Sequence, residues 1–398
     1  MTTVLRRATH DDLPALAVVD GRAFGVHYSE QEQADFQPLF ETDRFLVACD
    51  VDDGAIVGVT GDFPFTMTLP GGGTLAVPGV TWVSVAATHR RRGVLRSMLA
   101  AQHRSFIEDG VAVSILTASE GGIYGRFGYG PATIRRVVEI DRRLTTFRPE
   151  APDPGGVRQV EAVEARKHAP GIHHRWCTIT TGALSRNPAW WDYQFLDRAN
   201  DRRRGSALFH LAHPDGWAAY RIDRDERRCR VVELVAATDD AHVALWRVLL
   251  GLDLLHTVTT DACPLDDPLP FLLVDPRQVR TVNLTDGTWA RLLDVPAALS
   301  ARRYGLEVDI TIELHDAFLN CGGRFRLRGG PDGACCERTD RMPDAYADIA
   351  ALGSLYLGGH RAVTLARAGN FQASDPAVVS RVDAAFRADR SPQPGTEF

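Results

Sequence analysis

Two short stretches of this sequence gather residues whose types and spacing can do chemistry. In the first, Thr88-His89-Arg90-Arg91-Arg92-Gly93-Val94-Leu95-Arg96 leads from the strand-like Thr81-Trp82-Val83-Ser84-Val85 into a helical pattern with Val94, Leu95, Met98, Leu99 and Phe106 at helical spacing. A glycine just before a helix lets backbone N–H groups close on an anion, where the helix dipole and the uncapped donors favour negative charge. Flanking arginines add charge-assisted donors, so this turn reads as a diphosphate cradle. An arginine run alone would be an ordinary solvated surface; its place between a buried strand and an amphipathic helix is what separates the two readings. The second stretch, Ala118-Ser119-Glu120-Gly121-Gly122-Ile123-Tyr124-Gly125-Arg126-Phe127-Gly128-Tyr129-Gly130, sets hydroxyls and a carboxylate among glycines. Ser119 lacks the Gly-x-Ser-x-Gly elbow and a partner histidine assignable by spacing, which argues against a hydrolase.

The elements around these stretches alternate. Val4–Ala8 reads as a strand, Leu13–Phe24 as a helix capped by Asp11-Asp12, and Ser29–Phe40 as a second helix. Strands follow at Phe45–Cys49, Ile56–Phe65 and Leu75–Val85, the last two around Pro70-Gly71-Gly72-Gly73. After the helix from Val94 come strands at Val111–Leu116 and Ile134–Ile140, the latter completing a first mixed α/β layer. Pro149–Gly156, reading Pro-Glu-Ala-Pro-Asp-Pro-Gly-Gly, is the clearest linker. Beyond it, helices at Ala162–Thr180, Pro188–Arg198 and Asp239–Leu250 and strands at Ser206–Ala212, Trp217–Ile222, Arg230–Ala236, Thr257–Thr260 and Val282–Leu293 repeat the first order. A third α+β segment holds helices Val295–Arg303, Tyr346–Leu357 and Asp375–Arg387 and strands Glu307–Leu314 and Arg324–Leu327.

Composition bounds the function. The chain of 398 residues exceeds the usual size of one core, so two or three domains are expected. With 44% apolar and 24% charged residues and no apolar run near the roughly 18 residues that span a bilayer, it reads as a globular, non-membrane protein. The opening Met1-Thr2-Thr3-Val4-Leu5-Arg6-Arg7 has no apolar h-region, so a cytoplasmic location is expected. Seven scattered cysteines form no disulfide framework, and adjacent Cys335-Cys336 lack zinc-ligand spacing; no metal is expected. A net charge of −6 argues against nucleic acid as a partner.

Arg90-x-x-Gly93-x-Leu95 resembles the pyrophosphate loop of the GNAT acetyltransferases, Gln/Arg-x-x-Gly-x-Gly/Ala, with Leu95 departing at the last position. The run Ala118 to Thr133, the loop Thr88 to Gly93, Gly353-Ser354-Leu355-Tyr356-Leu357-Gly358 and the terminal Glu397-Phe398 are similar to the Eis ("enhanced intracellular survival") family of aminoglycoside acetyltransferases over the whole chain. The resemblance implies an N-terminal GNAT domain (residues 1–148), a central GNAT-like domain (157–294) and a sterol-carrier-protein-like domain (295–398), an α/β (α+β) architecture.

It also implies acetyl-CoA as cosubstrate. Backbone at Val83, Ser84 and Val85 would pair with pantetheine, Arg91, Arg92, Gly93, Val94, Leu95 and Arg96 would hold the diphosphate, and Ser119 and Glu120 would lie further along the channel. Tyr124 matches the family's general acid, and a phenol of ordinary pKa about 10 is protonated at neutral pH. The family's general base is the α-carboxylate of the last residue, here Phe398; Ser391-Pro392-Gln393-Pro394-Gly395 favours an extended arm before it. Polycationic acceptors call for an acidic, partly aromatic cavity, for which Phe24, Asp35, Phe36, Trp82, Glu120 and Glu397 are candidates. Aminoglycosides are the implied acceptors; protein lysine or a polyamine is the alternative, and a lipid-binding protein with inert GNAT halves is the competing class. The family implies a homo-oligomer, a hexamer. In the second segment Asp239 and Asp240 stand where the first has arginines and would repel a diphosphate, so one cofactor per chain is expected. His89, in the arginine-rich turn, is expected near phosphate.

Overall fold

β1 (Thr3–Arg7) is followed by α1 (Leu13–Phe24), which buries Leu13, Leu16, Ala17 and Asp20. Pro14 in its first turn, where a missing N–H costs nothing, and Gly25 at φ 71° beyond its last residue set its ends. α2 (Glu30–Phe36) begins on a reciprocal capping box between Ser29 and Glu32. The helix expected to reach Phe40 stops at Phe36, because Pro38 turns the next residues, Gln37–Leu39, into a 3-10 turn. β2 (Leu46–Asp50), β3 (Ile56–Thr68) and β4 (Thr74–Val85) pair antiparallel, with Gly71 and Gly72 at φ 85° and 84° in the β3–β4 turn. α3 (Val94–Glu108), β5 (Val113–Thr117) and β6 (Gly130–Pro131) complete the N-terminal part.

β7 (Ile134–Asp141) does not belong to this layer. It pairs with Val279–Asp286 and Thr257–Thr260 in a second sheet, whereas Thr288–Leu292 fills the place between β5 and β6 in the first. The expectation of one strand over Val282–Leu293 fails at Gly287, where any Cβ would stand 2.4 Å from Thr133 Oγ1. The computed structural model describes residues 3–398, which form two units: residues to Thr133 with Gly287–Asp389 and Glu397–Phe398, and Ile134–Asp286 with Arg390–Thr396. The expected linker Pro149–Gly156 therefore lies inside the second unit. Arg247 holds it there, donating to the carbonyls of Ala151 at 2.9 Å and Pro152 at 2.8 Å while its guanidinium stands 4.3 Å over the Phe147 ring.

The first unit also carries a five-stranded sheet built from Val308–His315, Gly323–Gly330, Gly333–Arg338, Ala345–Asp348 and Phe371–Ala373. The helix expected at Tyr346 starts only at Ile349, since Ala345–Asp348 pairs parallel with Ile312–His315. Gly353 lets this helix lie directly on Thr288–Leu292; a Cβ there would be 2.2 Å from the Ala290 carbonyl oxygen. The buried Arg302 closes the helix end, donating to the carbonyls of Leu355, Tyr356 and Phe386.

In the second unit the seven-stranded sheet is covered by helices Ala162–Ile179, Pro188–Gln194 and Asp239–Gly251. Val138, Ile140, Tyr220, Val231, Leu245, Leu249 and Val258 form its main core. The extended segment Ser391–Thr396 is fastened to this unit: Leu184 N–H donates to Pro394 O at 3.0 Å and Gln393 N–H to Thr181 O at 2.9 Å. Arg186, ion-paired to Glu233 at 2.8 Å, donates to Gly395 O and, at 3.0 Å, to Thr396 Oγ1.

Candidate functional site

The arginine-rich turn presents exposed guanidinium groups beside an uncapped helix start. Arg91 and Gly93 both take positive φ, 61° and 85°, so the chain coils before α3 with the N–H groups of its first turn uncapped by any side chain. Nothing crowds a Cβ at Gly93; its conformation, not space, demands glycine. Arg91, Arg92 and Arg96 are exposed, and the Arg96 guanidinium stands 5.1 Å from the Phe318 ring. Val94 and Leu95 instead point their side chains into apolar clusters, so they can meet a ligand only through backbone N–H groups. His89 departs from expectation. It turns inward, Nε2 at 2.9 Å from Asp50 Oδ2 and Nδ1 at 2.9 Å from Thr88 Oγ1, and ties the turn to the end of β2.

β4 and β5 part just above this turn. Their parallel ladder covers only Gly79–Ile115 and Val80–Leu116, leaving β4 from Thr81 to Val85 without β5 beside it. The edge at Val83, Ser84 and Val85 is thus a row of backbone donors and acceptors available to an extended ligand. A bulge shifts the β3–β4 register between Val59 and Gly61, and Trp82 adopts φ 53° in it.

Tyr124 sits where the two strands diverge, 5% exposed and packed with Val80, Leu116, Phe127 and Tyr129. Burial, reinforced by the Glu120 charge and only partly offset by a hydrogen bond from Ser119, pushes its phenol up to about 12. Tyr129 is structural: its hydroxyl lies 2.8 Å from His103 Nε2 and 2.9 Å from Ser114 Oγ.

The chain end lies in this same unit. The half-buried Phe398 ring stands 5.0 Å from that of Phe65 on β3, and a Cβ on Gly79 would come within 2.7 Å of it. From there rings follow one another, Phe65 to Phe63 at 6.4 Å, Phe63 to Phe36 at 6.1 Å, Phe36 to Trp82 at 4.8 Å and Trp82 to Tyr28 at 5.8 Å. Phe36 and Trp82, both expected at the acceptor cavity, are therefore in contact. Asp35 is half-buried on α2, accepting from Gln31 Nε2 at 2.8 Å, while Glu397, Ser119, Glu120 and Phe24 are exposed. Two residues passed over in the sequence stand beside this string: Tyr28, and Asp20 on the buried side of α1. The signal for Asp20 was legible, because it continues the apolar stripe of Leu13 and Leu16 at helical spacing.

In the second unit, the helix Asp239–Gly251 carries Asp239 and Asp240 in its first turn and is capped by Thr238, which accepts from Ala241 N–H at 3.2 Å. That helix start favours no anion. Among the described residues no group of three or more His, Cys, Asp or Glu side chains could hold a metal, and no helix is long and apolar enough to cross a membrane.

Comparison with known proteins places this geometry. Two family models described as "Acetyltransferase (GNAT) domain" match residues 4–132 and 182–292, and a "Sterol carrier protein domain" matches residues 295–393. The chain is 41% identical to the N-acetyltransferase Eis of Mycobacterium tuberculosis over 411 aligned residues, covering all of both chains. It is 35% identical to an uncharacterized N-acetyltransferase of Streptomyces coelicolor, covering 98% of this chain and 97% of that one. The crystal structure of Eis1 from Mycobacterium abscessus superposes over the full length of both chains with a TM-score of 0.89 at 33% identity. A GCN5-related N-acetyltransferase from Anabaena variabilis shares the fold, with a TM-score of 0.85 at 19% identity. Two GNAT domains followed by a sterol-carrier-like domain, and this similarity from end to end, identify the chain as a member of the Eis family of GNAT N-acetyltransferases.

Proposed function

We propose that the chain transfers the acetyl group of acetyl-CoA to amino groups of aminoglycosides, with Tyr124 as general acid and the α-carboxylate of Phe398 as general base. The observation that carries this reading is the seating of Phe398 on Phe65 and Gly79, in the unit that also holds Tyr124 and the parted β4 edge. Acetyl-CoA is held with its diphosphate at the turn Arg91–Arg96, its pantetheine along Val83–Val85, and Ser119 and Glu120 further along the channel.

The carboxylate of Phe398 takes a proton from the acceptor ammonium. The amine nitrogen then forms a bond to the acetyl carbon, the carbon–sulfur bond breaks as Tyr124 protonates the departing thiolate, and the second proton that the nitrogen sheds in becoming an amide returns to the Tyr124 phenolate. A phenol pushed up to about 12 keeps its proton throughout the neutral range. Phe24, Asp35, Phe36, Trp82 and Glu397 line the acceptor side. The central domain binds no second acetyl-CoA, and the protein works as a homo-oligomer, a hexamer.

Appending two residues after Phe398 tests the assignment. The extension displaces the carboxylate, so kcat with kanamycin falls at least about a hundredfold while acetyl-CoA affinity is kept. Unchanged turnover removes Phe398 from the mechanism. Absence of acetylated product by mass spectrometry over a panel of aminoglycosides removes that acceptor class.

A further inference from the structure

Six aspartates are buried among the described residues: Asp20, Asp50, Asp62, Asp267, Asp316 and Asp383. Five of them face a basic side chain. Asp50 has His89 at 2.9 Å, Asp62 has Arg44 at 2.6 Å, Asp267 has His242 at 3.1 Å, Asp316 has Arg291 at 2.7 Å, and Asp383 has Arg361 at 2.5 Å. Asp20, 4% exposed, has none. Its Oδ2 accepts from the Tyr28 hydroxyl at 2.9 Å, while Oδ1 has no hydrogen-bond partner. The buried Ser84 Oγ, also without a hydrogen-bond partner, neighbours the carboxyl.

An uncompensated carboxylate is costly to bury, and Asp20 sits in the last turn and a half of α1, where the helix dipole is also unfavourable to an anion. The fold nevertheless builds this place with care. Gly25 at φ 71° reverses the chain after α1, and Val26 N–H donates to Gly21 O at 2.9 Å; a Cβ on Gly21 would stand 2.6 Å from Val26 O and block that return. The return brings the half-buried Tyr28 onto Asp20 and stacks its ring on Trp82 at an interplanar angle of 18°. Ser84 belongs to β4, directly after the bulge.

We propose that Asp20, with Tyr28 and Ser84, is a binding subsite for a cationic amine of the acceptor, at the far end of the aromatic string from Phe398. The acceptor supplies the counter-charge that the protein omits at this one buried aspartate. Tyr28 commits its proton to Asp20, so its oxygen meets a ligand as a hydrogen-bond acceptor, which selects N–H donors. Burial, opposed by the Tyr28 hydrogen bond and the neighbouring Ser84 hydroxyl and with no charged side chain acting on it, raises the Asp20 carboxyl above the usual range. A bound cation reverses that bias, so binding releases the proton that Asp20 carries in the fraction of molecules where it is neutral. The ligand class is a polyamine or aminosugar with at least two amino groups, one at the thioester and one at Asp20; this rests on the amine-acceptor reading above.

Calorimetric titration of the full chain with kanamycin and with spermidine, without acetyl-CoA and in buffers of different ionisation enthalpy, tests the subsite apart from catalysis. Asp20→Asn, which keeps shape and removes charge, weakens both ligands about tenfold or more and abolishes the linked proton release; Tyr28→Phe weakens them about threefold. A simple monoamine binds wild type and Asp20→Asn alike. If Asp20→Asn does not fold, Ser84→Ala and Tyr28→Phe carry the comparison through the same two readouts. Folded variants that bind both polyamines as wild type does overturn the subsite alone. A wild-type protein that binds no amine overturns the amine-acceptor reading with it.

Discussion

The ring of Phe398 rests 5.0 Å from that of Phe65, with the backbone of Gly79 directly beneath it. A residue with almost the whole chain before it is thus fixed on the hairpin of β3 and β4. Gly79 has no room for a side chain, since a Cβ would meet Phe65 at 2.6 Å and Phe398 at 2.7 Å. Gly79→Ala should therefore unseat the terminus and lower kcat about tenfold or more, with acetyl-CoA affinity held within about twofold. Steady-state kinetics beside cofactor titration measures the difference; equal losses in both would mean that the strand itself was deformed.

Tyr124 offers a pH test. Because burial, the Glu120 charge and the Ser119 hydrogen bond together leave its phenol up at about 12, loss of its proton cannot limit the rate between about pH 8 and 10. The profile of kcat should stay level there. Tyr124→Phe should lower kcat by about a hundredfold or more across the whole range while changing cofactor affinity little. An alkaline fall in wild type that disappears in Tyr124→Phe would contradict the burial argument.

Arg291 and Asp316 join Thr288–Leu292 to the loop after Val308–His315, both fully inside, with Nη2 to Oδ2 at 2.7 Å. Arg291 also donates to Phe127 O, three residues from Tyr124. Asp316→Ala leaves that guanidinium buried without its carboxylate and should cost about 3–5 kcal/mol, read as a drop in denaturant midpoint. Desolvation alone would raise the Asp316 carboxyl; the hydrogen bond and charge of Arg291, with the N–H groups of Phe318 and Cys321, outweigh it and hold it below its usual value. The sign follows: a depressed carboxylate contributes its stability in full above the unfolded value of about 3.9 and loses it as pH falls through the folded one. Asp316→Ala should lose this acid-dependent component when stability is followed from about pH 5 downward.

Arg186 is the fastening of the tail in the second unit. Its side chain is 1% exposed, pairs with Glu233 and stacks 4.7 Å over Trp191 while donating to Gly395 and Thr396. In Arg186→Ala the amides of Leu184 and Gln393, bonded to Pro394 O and Thr181 O, should exchange hydrogen at least about tenfold faster. Unchanged protection at both would show that these backbone bonds hold the tail without the guanidinium.

Local pattern carried far in this sequence. Leu13–Phe24 and Thr257–Thr260 have the bounds their composition predicts, because caps, glycines and apolar spacing agree there. The arginine turn was legible for the same reason: Gly93 and the amphipathic α3 fix its conformation locally. What local pattern could not show is partnership between distant strands. Ile134–Asp141 and Val279–Asp286 read as strands, but only pairing decides which sheet they join. Pro149–Gly156 has the composition of a boundary, and Arg247, about a hundred residues on, makes it an internal segment. Asp20 was missed because its meaning lies in what it lacks, a basic partner, and that is visible only once the other five buried aspartates are seen to have theirs.

The placement of Thr288–Leu292 has a consequence for synthesis. The second sheet uses only residues between Arg158 and Asp286 together with β7, an unbroken stretch, so it can close as that stretch leaves the ribosome. The first sheet begins at Thr3 and must wait for a strand ending at Leu292 before β5 and β6 are joined. At about 5–20 residues per second that is a delay of many seconds, during which the β5 edge is unpaired in a half-made protein. The earliest residues of the chain are among the last to reach their finished surroundings, and chaperone dependence should be greatest for nascent chains arrested between β6 and Thr288.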